Sequence, residues 1–175
     1  MPSSLSAAAV SALSTELRSD VDKKANNVAK LLPALAPGVV PEAAQREAIR
    51  ALKLYFLHAF DTHGLSKAAS SAKSGEAAAI FQAWLLRQYA ACTGRLTTLM
   101  QSPKAAAAVQ VEALVAVMEF VRGEAVGEFQ NSMFTNMLAA MLKSSAFSSV
   151  FLGALSNKYL KFADVRFYSL RAVQR

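Results

Sequence analysis

Between Lys104 and Arg122 the chain is apolar on almost every side of a helical wheel. Val109, Val111, Leu114, Val115, Val117, Met118, Phe120 and Val121 leave only Glu112, Glu119 and a few others for water. A helix with so little polar face is stable only when other elements surround it. This segment therefore demands a domain built around it, and its neighbours supply one. Apolar residues recur three and four apart along nearly the whole chain, the helical period, and no stretch holds the alternation of a half-buried strand. Ala and Leu are abundant, whereas 175 residues contain only 7 Gly and 5 Pro. Helix interiors accept the first pair and reject the second.

The breakers that do occur divide the chain. Leu5 to Leu32 reads as two short helices, ended by Pro33 and Pro37-Gly38. Pro41 suits the first turn of the next helix, and Glu42 suits its positive end. Ile49, Leu52, Phe56 and Phe60 form its apolar face, and Gly64 ends it. Residues 64–75 are rich in Ser, Lys and Ala and read as a flexible loop. A long helix follows from Glu76 to Met100, with Phe81, Leu85, Cys92, Leu96 and Leu99 on one face and a bend expected at Gly94. Ser102-Pro103 reads as an N-cap and first-turn proline for the apolar helix, and Gly123 as its cap. Phe129, Met133, Phe134, Met137 and Met141 make a further stripe, read as core rather than as an adaptable groove. Phe151, Leu152, Leu155 and Leu160 make another. Asp164 suits the N-cap of a last helix that runs into Arg175 with no stop signal, as in a part of something longer.

The expected fold is all-α: an irregular HEAT- or armadillo-like helical repeat of about seven or eight helices. An irregular helical bundle is the competing architecture. Residues 1–40 are expected to hold the N-terminal helices, with room for a flexible start. Residues 41–175 are expected to hold the repeat domain, continuing beyond residue 175 in a full-length protein.

Chemistry is sparse. The one cysteine, Cys92, excludes an internal disulfide, fits a reducing compartment, and lies on an apolar face where a thiol acts as a small hydrophobe. His58, Asp61 and His63 cluster at a helix end, but their spacing misses the i, i+4 pair that puts two imidazoles on one helical face. They read as a polar helix terminus, and no metal or other cofactor is expected. No phosphate-binding loop and no carboxylate pair in an apolar setting appears. The chain is thus read as a non-enzyme. No stretch is long and apolar enough for a membrane span, and no membrane partner is expected. The net charge of +7 at pI about 9.8 favours acidic partners. The cations gather at the end: Lys158, Lys161, Arg166, Arg171 and Arg175 against the single acid Asp164, interleaved with Tyr159, Phe162, Phe167 and Tyr168. Such a mixture can contact phosphates and stack on bases. It can equally be an amphipathic pair whose aromatics face the core and whose cations face water.

Three blocks carry a resemblance. Trp84-Leu85-Leu86-Arg87-Gln88-Tyr89 continues to Leu96-Thr97-Thr98-Leu99-Met100. Val109 to Leu114 is followed by Met118-Glu119-Phe120-Val121 and Glu124. Tyr159-Leu160 precedes Asp164-Val165-Arg166-Phe167-Tyr168. In order and spacing these resemble the nucleolar complex protein 4 family, eukaryotic factors for making the small ribosomal subunit. Leu13 to Leu32, with Asn26-Asn27, agrees more loosely. The resemblance implies an α-helical repeat, a nucleolar location, no catalysis, a nucleolar protein 14-like partner and membership of the early small-subunit precursor. The expected function is a non-catalytic scaffold of 40S biogenesis, touching pre-ribosomal RNA directly or through other proteins. The alternative is a generic helical adaptor unrelated to ribosomes.

Overall fold

The computed structural model describes residues 5–65, 76–124, 131–144 and 149–174. They form eight α-helices and one 3-10 turn, with no strand among the described residues. The helices are α1 (Ala7–Ser19), α2 (Asn27–Leu31), α3 (Glu42–Thr62), α4 (Glu76–Gln101), α5 (Ala107–Gly123), α6 (Asn131–Leu142), α7 (Ser149–Lys158) and α8 (Ala163–Val173). The 3-10 turn spans Leu32–Leu35 and follows α2 directly.

Two layers emerge from the packing. In one, α1 packs on α3, α3 on α5, and α5 on α7. In the other, the 3-10 turn packs on α4, α4 on α6, and α6 on α8. Helix α5 also touches α4 and α6, so it joins the layers. Apart from α2, whose place against α4 is taken by the 3-10 turn, each helix from α1 to α6 meets the one two places on, the stepwise stacking of a helical repeat rather than an irregular bundle. The all-round apolar helix is central, as its composition requires. Nine of its residues, Phe120 among them, are buried.

Local chemistry sets the joints. Ser6 caps α1, its Oγ accepting from the Ala9 amide at 3.1 Å. Gly38, at φ +74, turns the chain after the 3-10 segment. Gln45 of α3 donates through Nε2 to the carbonyls of Ala34 and Ala36, at 3.0 and 2.9 Å, and so fixes that turn against α3. Between α3, α4 and α5 the rings of Phe56, Phe60, Tyr89 and Phe120 meet edge to face, with centroids 5.3 to 6.3 Å apart. Such pairs add about 0.5–1.5 kcal/mol each beyond their buried area.

Several local expectations shift. Pro41 is the cap residue of α3, and Glu42 is the first helical position. Ser102-Pro103 does not open α5. It forms a separate turn in which the Ala105 amide donates to the Ser102 carbonyl, and α5 starts after Ala106. The buried Gln110 side chain stabilises that turn, donating to the carbonyls of Met100 and Ser102 at 3.3 and 3.1 Å. Asp164 lies in the first turn of α8, with Phe162 at the cap position. Helix α4 runs unbroken through Gly94. Gly123 is the last residue of α5, and its role is close approach: a Cβ there would sit 2.7 Å from the Phe60 ring. Glu112, expected to face water, is only 13% exposed and bridges to α3, 2.7 Å from Arg50 and 3.5 Å from Arg46. Phe134, Met137 and Met141 are buried as core. Phe129 and the loop residues 66–75 lie outside the described residues.

Candidate interaction surface at the last helix pair

Helices α7 and α8 are joined by a tight turn. The amides of Tyr159 and Leu160 both donate to the Leu155 carbonyl, and that of Phe162 donates to the Tyr159 carbonyl. Val165 and Ala172 of α8 are buried, and Leu160 and Tyr168 are half-buried against the core. The opposite side of α8 is bare. Phe162, Phe167, Leu170 and Val173 are 53%, 55%, 67% and 65% exposed.

The cations do not act alike. Lys161 and Arg171 are exposed, and each covers an exposed ring: Lys161 Nζ lies 5.2 Å from the Phe162 centroid and Arg171 Cζ lies 5.9 Å from that of Phe167. Arg166 is tied to the fold, its Nη1 donating to the carbonyls of Leu160 and Lys161 at 3.3 and 3.2 Å. Lys158 sits in the last turn of α7, where a cation complements the helix dipole. Arg175 lies outside the described residues. The aromatics split too. Burial, with a smaller effect from Glu119, pushes the Tyr159 phenol up, whereas Phe162 and Phe167 face water. The amphipathic reading thus holds for the tyrosines and fails for the phenylalanines. What remains outside is a mixed apolar and cationic face.

Cys92 is fully buried on α4, and burial pushes its thiol far up, so it stays protonated and inert. Among the described residues no helix is long and apolar enough to cross a membrane.

The family described as "Nucleolar complex protein 4-like, TPR repeats" matches residues 4–175. The chain belongs to this family. Its repeat class is also built from antiparallel helix pairs, which agrees with the two stacked layers. Protein NUCLEOLAR COMPLEX ASSOCIATED 4 of Arabidopsis thaliana is 28% identical over 137 residues, 75% of this chain and 23% of that protein. The matched stretch therefore spans about a quarter of that relative's length. No solved structure matches.

Several residues of the blocks that signal the nucleolar complex protein 4-like family prove to be structural. Trp84 packs against the core, and Phe120 is wholly inside it. The Tyr89 hydroxyl donates to Glu124 at 2.6 Å and joins α4 to the end of α5, while burial pushes its phenol up. Gln110 holds the α4–α5 turn as described. These positions determine a fold.

The histidine cluster has a partner that local spacing hides. His63 Nε2 and His58 Nε2 lie 3.0 and 3.4 Å from Asp22 Oδ1, in the turn between α1 and α2. The hydrogen bond from His63 first, and that from His58 after it, hold the Asp22 carboxyl below its ordinary value. Asp61, the neighbour expected to complete the group, is exposed and stands outside it. Asp22 is 36 and 41 residues away along the chain, so only folding brings it there.

Proposed function

We propose that this chain is a non-catalytic scaffold of small ribosomal subunit biogenesis, working in the nucleolus within pre-ribosomal particles. Family membership over residues 4–175 is the observation that carries the reading. The architecture supports it, since stacked helix pairs offer extended surfaces on a rigid frame. The partners are a nucleolar protein 14-like protein and the pre-ribosomal particle. The exposed face of α8 is the contact surface: Phe162, Phe167, Leu170 and Val173 offer apolar area, and Lys161 and Arg171 offer charge to an acidic partner.

The test is affinity purification of the tagged chain, and of a full-length protein containing it, from its own cells. Recovery of the nucleolar protein 14-like partner with small-subunit pre-rRNA is expected. A full-length protein that recovers neither contradicts the ribosomal role and leaves a generic helical adaptor in its place. Washing at rising salt should separate the contacts. Phosphate-dependent attachment falls steeply with salt, whereas apolar protein contacts persist.

A further inference from the structure

We infer that Asp22, His58 and His63 form a zinc site that ties the α1–α2 turn to the end of α3. The inference is independent of the nucleolar reading. It starts from the donor set. Two imidazoles and a carboxylate are a common ligand set for divalent zinc. The three donor atoms all lie within 4.8 Å of one another. Four donors about 2.0–2.1 Å from zinc at tetrahedral angles stand roughly 3.3 Å apart. The two imidazole-to-carboxylate distances, 3.0 and 3.4 Å, bracket that value.

Backbone geometry explains why the spacing rule misses the site. His63 is not part of α3. It is the residue that ends the helix, at φ −112 and ψ 9, and Gly64 then turns the chain at φ 57. Released from the helix, the His63 ring reaches the same carboxylate oxygen as His58. The rings meet edge to face at 6.0 Å, and Phe81 packs against His63 at 5.2 Å. The side chains are 63% exposed at Asp22, 35% at His58 and 27% at His63, so an ion has an open approach. Among the described residues the group holds three protein donors, and water is expected in the fourth position.

A second observation lies beside the cluster. The Tyr55 hydroxyl, one turn before His58 on α3, is buried with no hydrogen-bond partner among the described residues, and burial first, with the charge of Asp22 after it, pushes its phenol up. Without metal, both Nε2 atoms lean on one carboxylate oxygen, which takes two N–H donors when both rings are neutral. On binding, each Nε2 lone pair turns to zinc and its proton moves to Nδ1 through solvent.

The chain suits a direct test, because its two histidines are both in the site and its one cysteine is buried. The tag-free protein, stripped of metal, is titrated with cobalt(II) and then with zinc. The expected result is one ion per chain, the intense visible absorption of four-coordinate cobalt, its loss on adding zinc, and shifts of both imidazole NMR signals. Asp22→Asn, His58→Gln and His63→Gln should each weaken binding on the order of 100-fold, no less than loss of a group that merely orients a ligand. Asp61→Asn should leave binding unchanged. Zinc should raise the melting temperature of the parent and of Asp61→Asn and not of the other three. Circular dichroism separates misfolded variants from folded ones that have lost the ion. Failure to bind cobalt or zinc, binding that survives Asp22→Asn, or binding that depends on Asp61 would overturn the inference.

Discussion

Helices α3 to α5 and helices α7 to α8 come from one repeat architecture but use their surfaces in opposite ways. In the first region the large rings point inward: Phe56, Phe120 and Tyr55 are at most 2% exposed. Charges cross between helices there, as Glu112 does to Arg50 and Arg46. In the second region two phenylalanines stand more than half exposed, with cations over their faces. Isolated exposed apolar residues are ordinary on any protein. Four together, on α8 and its cap residue, are a larger apolar exposure than scattered single residues. The contrast teaches that the fold is held in the middle, and it underlies the proposal that contact is made at the end.

Substitutions can break or sharpen that contrast. The largest effect is expected from Phe120→Ala, which empties the aromatic cluster and should cost about 3–5 kcal/mol in urea unfolding. A loss below about 1 kcal/mol would mean that α5 is not the centre. Next comes Gly123→Ala. The new methyl meets the Phe60 ring, at a cost of about 1–3 kcal/mol, against a helix-propensity gain of about 1. Net destabilisation near 1 kcal/mol is expected. Gly153→Ala in α7, with nothing within 4 Å of the added carbon, should instead stabilise by up to about 1 kcal/mol.

Glu112→Gln tests the charge bridge. Burial pushes the Glu112 carboxyl up, but the Arg50 hydrogen bond and the charges of Arg50 and Arg46 outweigh it, leaving the carboxyl below its ordinary 4.5. Its stabilisation is therefore complete above that value and disappears as pH falls through the folded one. The variant should be less stable by about 1 kcal/mol at neutral pH, Arg50 being half exposed, and should converge on the parent in acid. Unfolding curves from pH 7 to pH 3 measure this. Smallest of all, Phe167→Ala should change stability by less than about 0.5 kcal/mol, since a half-exposed ring contributes little to folding. A larger loss would place α8's outer face in the core.

What the sequence made legible follows from locality. Helix number and order, the inward stripe of Leu85, Cys92, Leu96 and Leu99, and the central place of α5 all rest on periodicity within single helices. What it hid rests on distance along the chain. Asp22 meets His58 across 36 residues, and Tyr89 meets Glu124 across 35. Gly123 looked like a cap because glycine often ends helices, and only the neighbouring Phe60 ring reveals the close approach. Glu112 looked solvated because a charge on an apolar helix usually is, yet two arginines of α3 draw it into an interface. At the basic end, the sequence lists the cations but not their surroundings. Lys161 and Arg171 stand over exposed rings, while Arg166 is occupied by backbone carbonyls. Arg166 is exposed yet has one nitrogen engaged by the turn before it, which no linear pattern carries.

The most direct test of the contact surface is sedimentation of a full-length protein carrying Lys161→Glu, Phe162→Ser, Phe167→Ser and Arg171→Glu together. The predicted result is a melting temperature within a few degrees of the parent and loss of the protein from small-subunit precursor fractions. A folded variant that still sediments with those precursors as the parent does would contradict the assignment of contact to α8.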